Sequence, residues 1–219
     1  MVGKSSMAIK SIIASIIILL STHASANLII NGDFQNCSLT DWSLDTDGLG
    51  QLTDTTDFSV LDSAGQCSAN LGMSNLEQLL LNDPSGLSGF ANTLSTILDL
   101  SGVADSQILD LSFDWIFSGG DLQDPLSDFL SVSLTNGVEL DTLFTQFEYG
   151  SGTYRTQIDT RYDGWALDFT LNSGFNPDSF SSFLTLDNVS LQAATVPEPR
   201  ALLLLLLGTG VLVFGRRIC

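Results

Sequence analysis

In residues 108–117, ILDLSFDWIF, apolar and polar side chains alternate almost without a break. Leu109, Leu111, Phe113, Trp115 and Phe117 fall on one face of an extended chain. Asp110, Ser112 and Asp114 fall on the other. A helix would scatter this pattern around its surface, so the segment reads as a half-buried strand. The same period of two returns in 129–140, FLSVSLTNGVEL, where Leu130, Val132 and Leu134 alternate with serines. Asn136-Gly137 then supplies a hairpin-type turn into Val138. In 164–171, GWALDFTL, Trp165, Leu167, Phe169 and Leu171 share a face, and 90–102 also has strand character. Turn-forming residues at 118–125 and 172–179 separate the runs.

One short helix is expected where Ser74 and Glu77 take capping-box spacing before LEQLLL, with Asn82-Asp83-Pro84 as its stop. There is no long repeat and no βαβ rhythm. The fold class expected is therefore all-β: an antiparallel, jelly-roll-like β-sandwich with one short helix.

The last strand, 183–191, FLTLDNVSL, changes phase. Leu184 and Leu186 alternate, then Val189 and Leu191 do, but the two sets are an odd step apart. A bulge near Asp187-Asn188 would keep both sets inside.

Both ends of the chain read as addresses. Residues 1–26 have the pattern of a secretory signal peptide: Lys4 and Lys10, the apolar core of residues 11–20, and ASA at 24–26. Signal peptidase is then a partner, and the mature chain begins at Asn27. An apolar core this short falls below the ~20 residues a span needs. At the other end, Pro197, Glu198 and Pro199 precede an apolar stretch, 201–215, broken only by Thr209. A helix there covers ~22 Å, against ~30 Å of hydrocarbon. Arg216 and Arg217 follow and would stay in the cytoplasm. This leaves 27–195 as one extracytoplasmic domain, long enough for its own core.

That domain holds 24 carboxylates and two arginines, Arg155 and Arg161, for a net charge of −22. Such a surface repels nucleic acid and anionic lipid. The chain's one histidine, His23, and both lysines lie in the signal segment. The mature protein thus lacks the residues for Ser–His or Cys–His catalysis, Schiff bases, the P-loop lysine and His-ligated zinc. Carboxylate-pair chemistry of the glycosidase kind stays open, but the expectation is a non-enzyme. Cys37 and Cys67 are the only cysteines of the domain. In an oxidising compartment they pair, closing a loop of ~31 residues worth ~3–4 kcal/mol; two buried thiols are the alternative.

Candidate sugar platforms are Trp42, Tyr149, Tyr154 and Tyr162, with Trp115 and Trp165 assigned to the core. Arg155 and Arg161 stand near the tyrosines in 149–165. The stretch is either a polar binding loop or two cations relieving acidic crowding.

VPEP at 196–199, the apolar stretch and GRR at 215–217 together resemble a PEP-CTERM sorting signal. The resemblance implies export in a Gram-negative bacterium of the kind that makes exopolysaccharide. It also implies processing by a membrane-embedded exosortase-type enzyme. Pro197, Glu198 and Pro199 would be recognised, and Arg216 and Arg217 would stop transfer. The protein would pass through the inner membrane to the cell surface or extracellular matrix, in a structural or adhesive role or as an exopolysaccharide-binding module. A permanent single-span anchor is the plainer alternative.

The domain's ends, NGDFQ at 31–35 with Trp42 nearby and DNVSL at 187–191, resemble those of carbohydrate-binding-module-like jelly rolls. There the two ends meet, often around a structural calcium. Asp33 and Asp187 match the acidic positions, while Gln35 stands where Glu is common. Oxygen donors suit calcium.

Overall fold

The structure, a computed structural model, describes residues 27–46, 56–74, 91–120, 128–174 and 182–193. The expected signal peptide, the sorting tail and the helix after Ser74 lie outside them. Ten strands occur among the described residues: β1 (Ser43–Thr46), β2 (Phe58–Ser63), β3 (Gln66–Gly72), β4 (Ala91–Ile97), β5 (Ile108–Gly119), β6 (Phe129–Thr135), β7 (Leu140–Gln146), β8 (Gly150–Asp159), β9 (Ala166–Asn172) and β10 (Ser182–Ala193). They form two five-stranded sheets, ordered β1-β4-β9-β6-β7 and β2-β3-β10-β5-β8. Each pairing is antiparallel. The architecture is the jelly-roll-like β-sandwich that the alternation implies.

The alternating residues do the work expected of them. Leu109, Leu111, Phe113 and Phe117 of β5, Leu130, Val132 and Leu134 of β6, and Leu167, Phe169 and Leu171 of β9 are buried between the sheets. A chain of rings runs through this core. Phe34 meets Trp42 at 5.3 Å, and Trp42 meets Phe169 at 6.0 Å. Phe169 stands edge-on to Phe113 at 5.0 Å, and Phe113 stacks on Tyr154 at 5.1 Å. Such ring pairs add to what area burial alone contributes.

The phase change in the last strand is a bulge. The β10–β5 register shifts between Asp187 and Ser190, and Asn188 has φ 52°. Leu184, Leu186, Val189 and Leu191 are all fully buried as a result. The segment that begins at Asn27 lies against this bulge. Leu28 N–H donates to the Leu191 carbonyl at 2.8 Å, and Val189 N–H to the Gly32 carbonyl at 2.8 Å. Asn27 Oδ1 accepts from Leu191 N–H, and its Nδ2 donates to the Val189 carbonyl. The approach is so close at Gly32 that a Cβ there would sit 2.0 Å from the Val189 carbonyl oxygen. Only glycine fits.

Cys37 is disulfide-bonded to Cys67, with the Cα atoms 5.3 Å apart. The bridge ties the N-terminal turns to β3.

Candidate functional site

The residues that sequence reasoning offered as sugar platforms are packed instead. Trp42 is 7% exposed, its ring held by Phe34 and Phe169, and its indole N–H donates to the Asn31 carbonyl. Tyr162 is 5% exposed, edge-on to Trp165, and its hydroxyl donates to Asp141 Oδ2 at 2.6 Å. Tyr149 packs edge-on against Phe117 and shares a hydrogen bond with Ser182. Tyr154 is sandwiched by Phe113 and Phe144 and donates to the Leu143 carbonyl. A stacking sugar needs a free ring face, and these four line no common exposed row. Trp42 and Tyr162 belong to the core, and Tyr149 and Tyr154 are partly buried against it.

Nor is the stretch 149–165 a loop. Residues 150–159 are β8, and Thr160–Tyr162 form a 3₁₀ turn capped by Asp159, which accepts from Arg161 N–H. The arginines part company. Arg161 is tied to Asp141 at 3.2 Å and Asp159 at 3.7 Å. Arg155 lines an open trough of about 570 Å³ on the outer face of the second sheet, beside Gln157 and Asp110.

Asp33 and Asp187 do come near each other, at the junction of the N-terminal segment and the β10 bulge. Asp33 Oδ1 accepts from Gln35 N–H in its own turn, and Asp187 Oδ1 from Asn188 N–H. Burial raises the Asp187 pKa, and the charges of Asp114 and Asp33 push the same way. Asn188 Nδ2 reaches across to Asp114 at 2.8 Å. Among the described residues no group of three or more acidic, thiol or imidazole side chains is arranged to hold a metal ion.

A different surface has the makings of a site: the outer face of the β1-β4-β9-β6-β7 sheet. With Leu94, Leu130, Val132, Leu134, Leu167, Phe169 and Leu171 turned inward, the intervening residues point out. Their registers align into two rungs across the sheet. One runs Ser43, Ser95, Asp168, Ser133, Thr142; the next runs Asp45, Thr93, Thr170, Ser131, Thr145. All ten are Ser, Thr or Asp. Thr93 and Thr170 share a hydrogen bond at 3.1 Å.

This face is shielded from water more than an outer face normally is. Thr93 and Ser133 are each 8% exposed. Desolvation raises the pKa of Asp168, the charge of Asp45 adds to it, and a hydrogen bond with Ser95 opposes it. One strand-step beyond the rungs, Asn172 pairs in register with Phe129. Asn172 Nδ2 donates to Ser131 Oγ at 2.9 Å. Phe129 stacks on Phe147 with centroids 5.2 Å apart and planes at 29°, and Phe147 is 51% exposed. An aromatic platform thus adjoins a lattice of hydroxyls, one amide and two carboxylates. Sequence reasoning missed it. The available signal was Phe129, an aromatic on the polar phase of its strand.

No family model matches this sequence, and neither does any curated protein. Solved structures share its fold. An exo-β-agarase matches with TM-score 0.50 and 10% identity over 80% of this chain and 26% of that one. TmCBM61, solved in complex with β-1,4-galactotriose, matches with TM-score 0.47 and 11% identity over 77% of this chain and 99% of that one. The CBM22-1 xylan-binding domain from Paenibacillus barcinonensis Xyn10C matches with TM-score 0.44 and 14% identity, covering 81% and 100%. At 10% identity the agarase match is a likeness of fold alone.

Proposed function

We propose that this chain is an exported, non-catalytic glycan-binding protein, delivered to the cell surface or matrix by its C-terminal sorting segment. The observation that carries the binding half is the outer face of the β1-β4-β9-β6-β7 sheet. A sugar offers an apolar ring face and a rim of hydroxyls. Phe147, backed by Phe129, meets the first. Asn172, Asp168, Asp45 and the exposed rung residues Ser43, Thr142 and Thr145 meet the second. Pockets that bind small polar ligands combine these two elements. Two carboxylates on the face and a domain charge of −22 favour a neutral glycan over an acidic one.

Affinity electrophoresis of the exported protein through gels containing neutral polysaccharides, the host's own exopolysaccharide included, tests this. Retardation is expected in at least one gel and is weakened by Phe147→Ala. Unaltered mobility in every gel overturns the reading. The sorting half is tested by the mass of the mature protein from envelope and medium. A chain ending between Pro197 and Arg200 supports processing by an exosortase-type enzyme. A mass running to Cys219, in membranes alone, makes the tail an ordinary anchor.

One observation favours a second reading. Asp168 and Asp45 lie on the same face, and the charge of Asp45 acts on Asp168; these are the two carboxylates that a glycosidase reading would use. Reducing sugar released from the retained glycan, and abolished in Asp168→Asn, would establish it. Binding without release excludes it.

A further inference from the structure

A sheet edge presents unpaired backbone groups, and proteins blunt such edges with short strands, bulges, prolines or lysines. This sandwich has four. β1 and β2 end the sheets on one side and are four and six residues long. β7 is broken by a register shift opposite Val132 and Ser133. β8 has none of these devices. It is ten residues long, holds neither proline nor lysine, and keeps one register against β5 from Phe117↔Gly150 to Ile108↔Asp159. No further backbone pairing of its free edge occurs among the described residues.

The side chains of that edge are self-complementary. Arg155, Gln157 and Asp159 share the outer face, opposite Ser112, Asp110 and Ile108. In a domain with 24 carboxylates, Arg155 makes no ion pair among the described residues. Asp110, in the same trough, accepts from Gln157 Nε2 at 2.9 Å. Asp159 uses Oδ1 on Arg161, which leaves Oδ2 for another guanidinium.

We propose that β8 is the pairing edge of a weak homodimer, in which two copies join antiparallel about a two-fold axis through Gln157. The sheets of the two sandwiches then run on as one. Arg155 of each copy faces Asp159 of the other, and Gln157 faces its own counterpart. The net charge of each domain opposes this association, so the dimer is transient and tightens as added salt screens the repulsion.

The register makes the test sharp. Residues directly opposite in an antiparallel pair lie ~4.5–5.5 Å apart at Cα, within disulfide reach. Gln157→Cys in the exported protein, oxidised at about 100 µM, should give a covalent dimer. Ser151→Cys, on the same strand but off the axis, should not, and the unaltered chain gives the background. Arg155→Glu, added to Gln157→Cys, should cut the cross-linking rate at least tenfold while circular dichroism stays unchanged. Equal cross-linking at 151 and 157, none at 157, or indifference to Arg155→Glu overturns the proposal.

Discussion

Asn92 on β4 donates from Nδ2 to the carbonyl of Gly72 on β3, 2.7 Å away, and so ties one sheet to the other through the core. The same nitrogen reaches Asp57 Oδ2 at 3.2 Å, and Asn92 is fully buried. Replacing it by alanine strands a buried carbonyl. Asn92→Ala should lower stability by about 2 kcal/mol, seen as a lower urea midpoint with unchanged slope. An unchanged midpoint would mean that the contact is dispensable.

Cys67 is fully buried on β3, and its bond to Cys37 crosses 30 residues of sequence. On the chain-entropy model, Cys37→Ser with Cys67→Ser should cost about 3–4 kcal/mol. Thermal unfolding of the protein with and without reductant measures the same loss.

Asp168 carries a pH signature. Burial raises its pKa in the fold, so the folded state prefers its protonated form. The cost of its charge is absent below the ordinary carboxyl value of 3.8. It grows as pH rises through the folded-state value and persists at neutrality. Asp168→Asn should therefore raise the unfolding midpoint at pH 7, and the gain should close as the pH falls toward ~3. A gain that stays constant across this range would point to a cause other than titration.

Phe147 separates binding from stability. Half its surface is open to solvent, so Phe147→Ala should leave the melting temperature nearly unchanged. Loss of the stacking surface should weaken glycan binding about tenfold. Phe129, half-buried beneath it, should show loss of both when cut to alanine.

The strands that bury one face were legible because burial writes period two into the sequence. β5, β6 and β9 stand where the alternation put them, and the leucine phase change foretold the bulge at Asp187–Asn188. β8 was not legible. Half its positions are Gly, Ser or Thr, and its inward row, Gly150, Gly152, Tyr154, Thr156 and Ile158, includes glycines beneath the Trp115 ring. A neighbour's side chain fills that space, so the strand's own letters stay silent. The platform residues failed for a related reason. An aromatic near a turn has the same letter whether it points in or out, and Trp42 and Tyr162 are recruited by Phe34, Phe169 and Trp165 from distant strands. The polar rungs are assembled from five separate strands and exist only once the registers are set.

The position of β10 governs how the domain carries mechanical load. A pull applied through the residues after Ala193 enters the sandwich along β10, a central strand hydrogen-bonded to β3 on one side and β5 on the other. The N-terminal segment is laced across it at Leu191 and Val189. Tension along the strand must shear these bonds together, whereas a tether at β1 or β2 would peel an edge one bond at a time. A chain held by its C-terminus is gripped where the fold resists best.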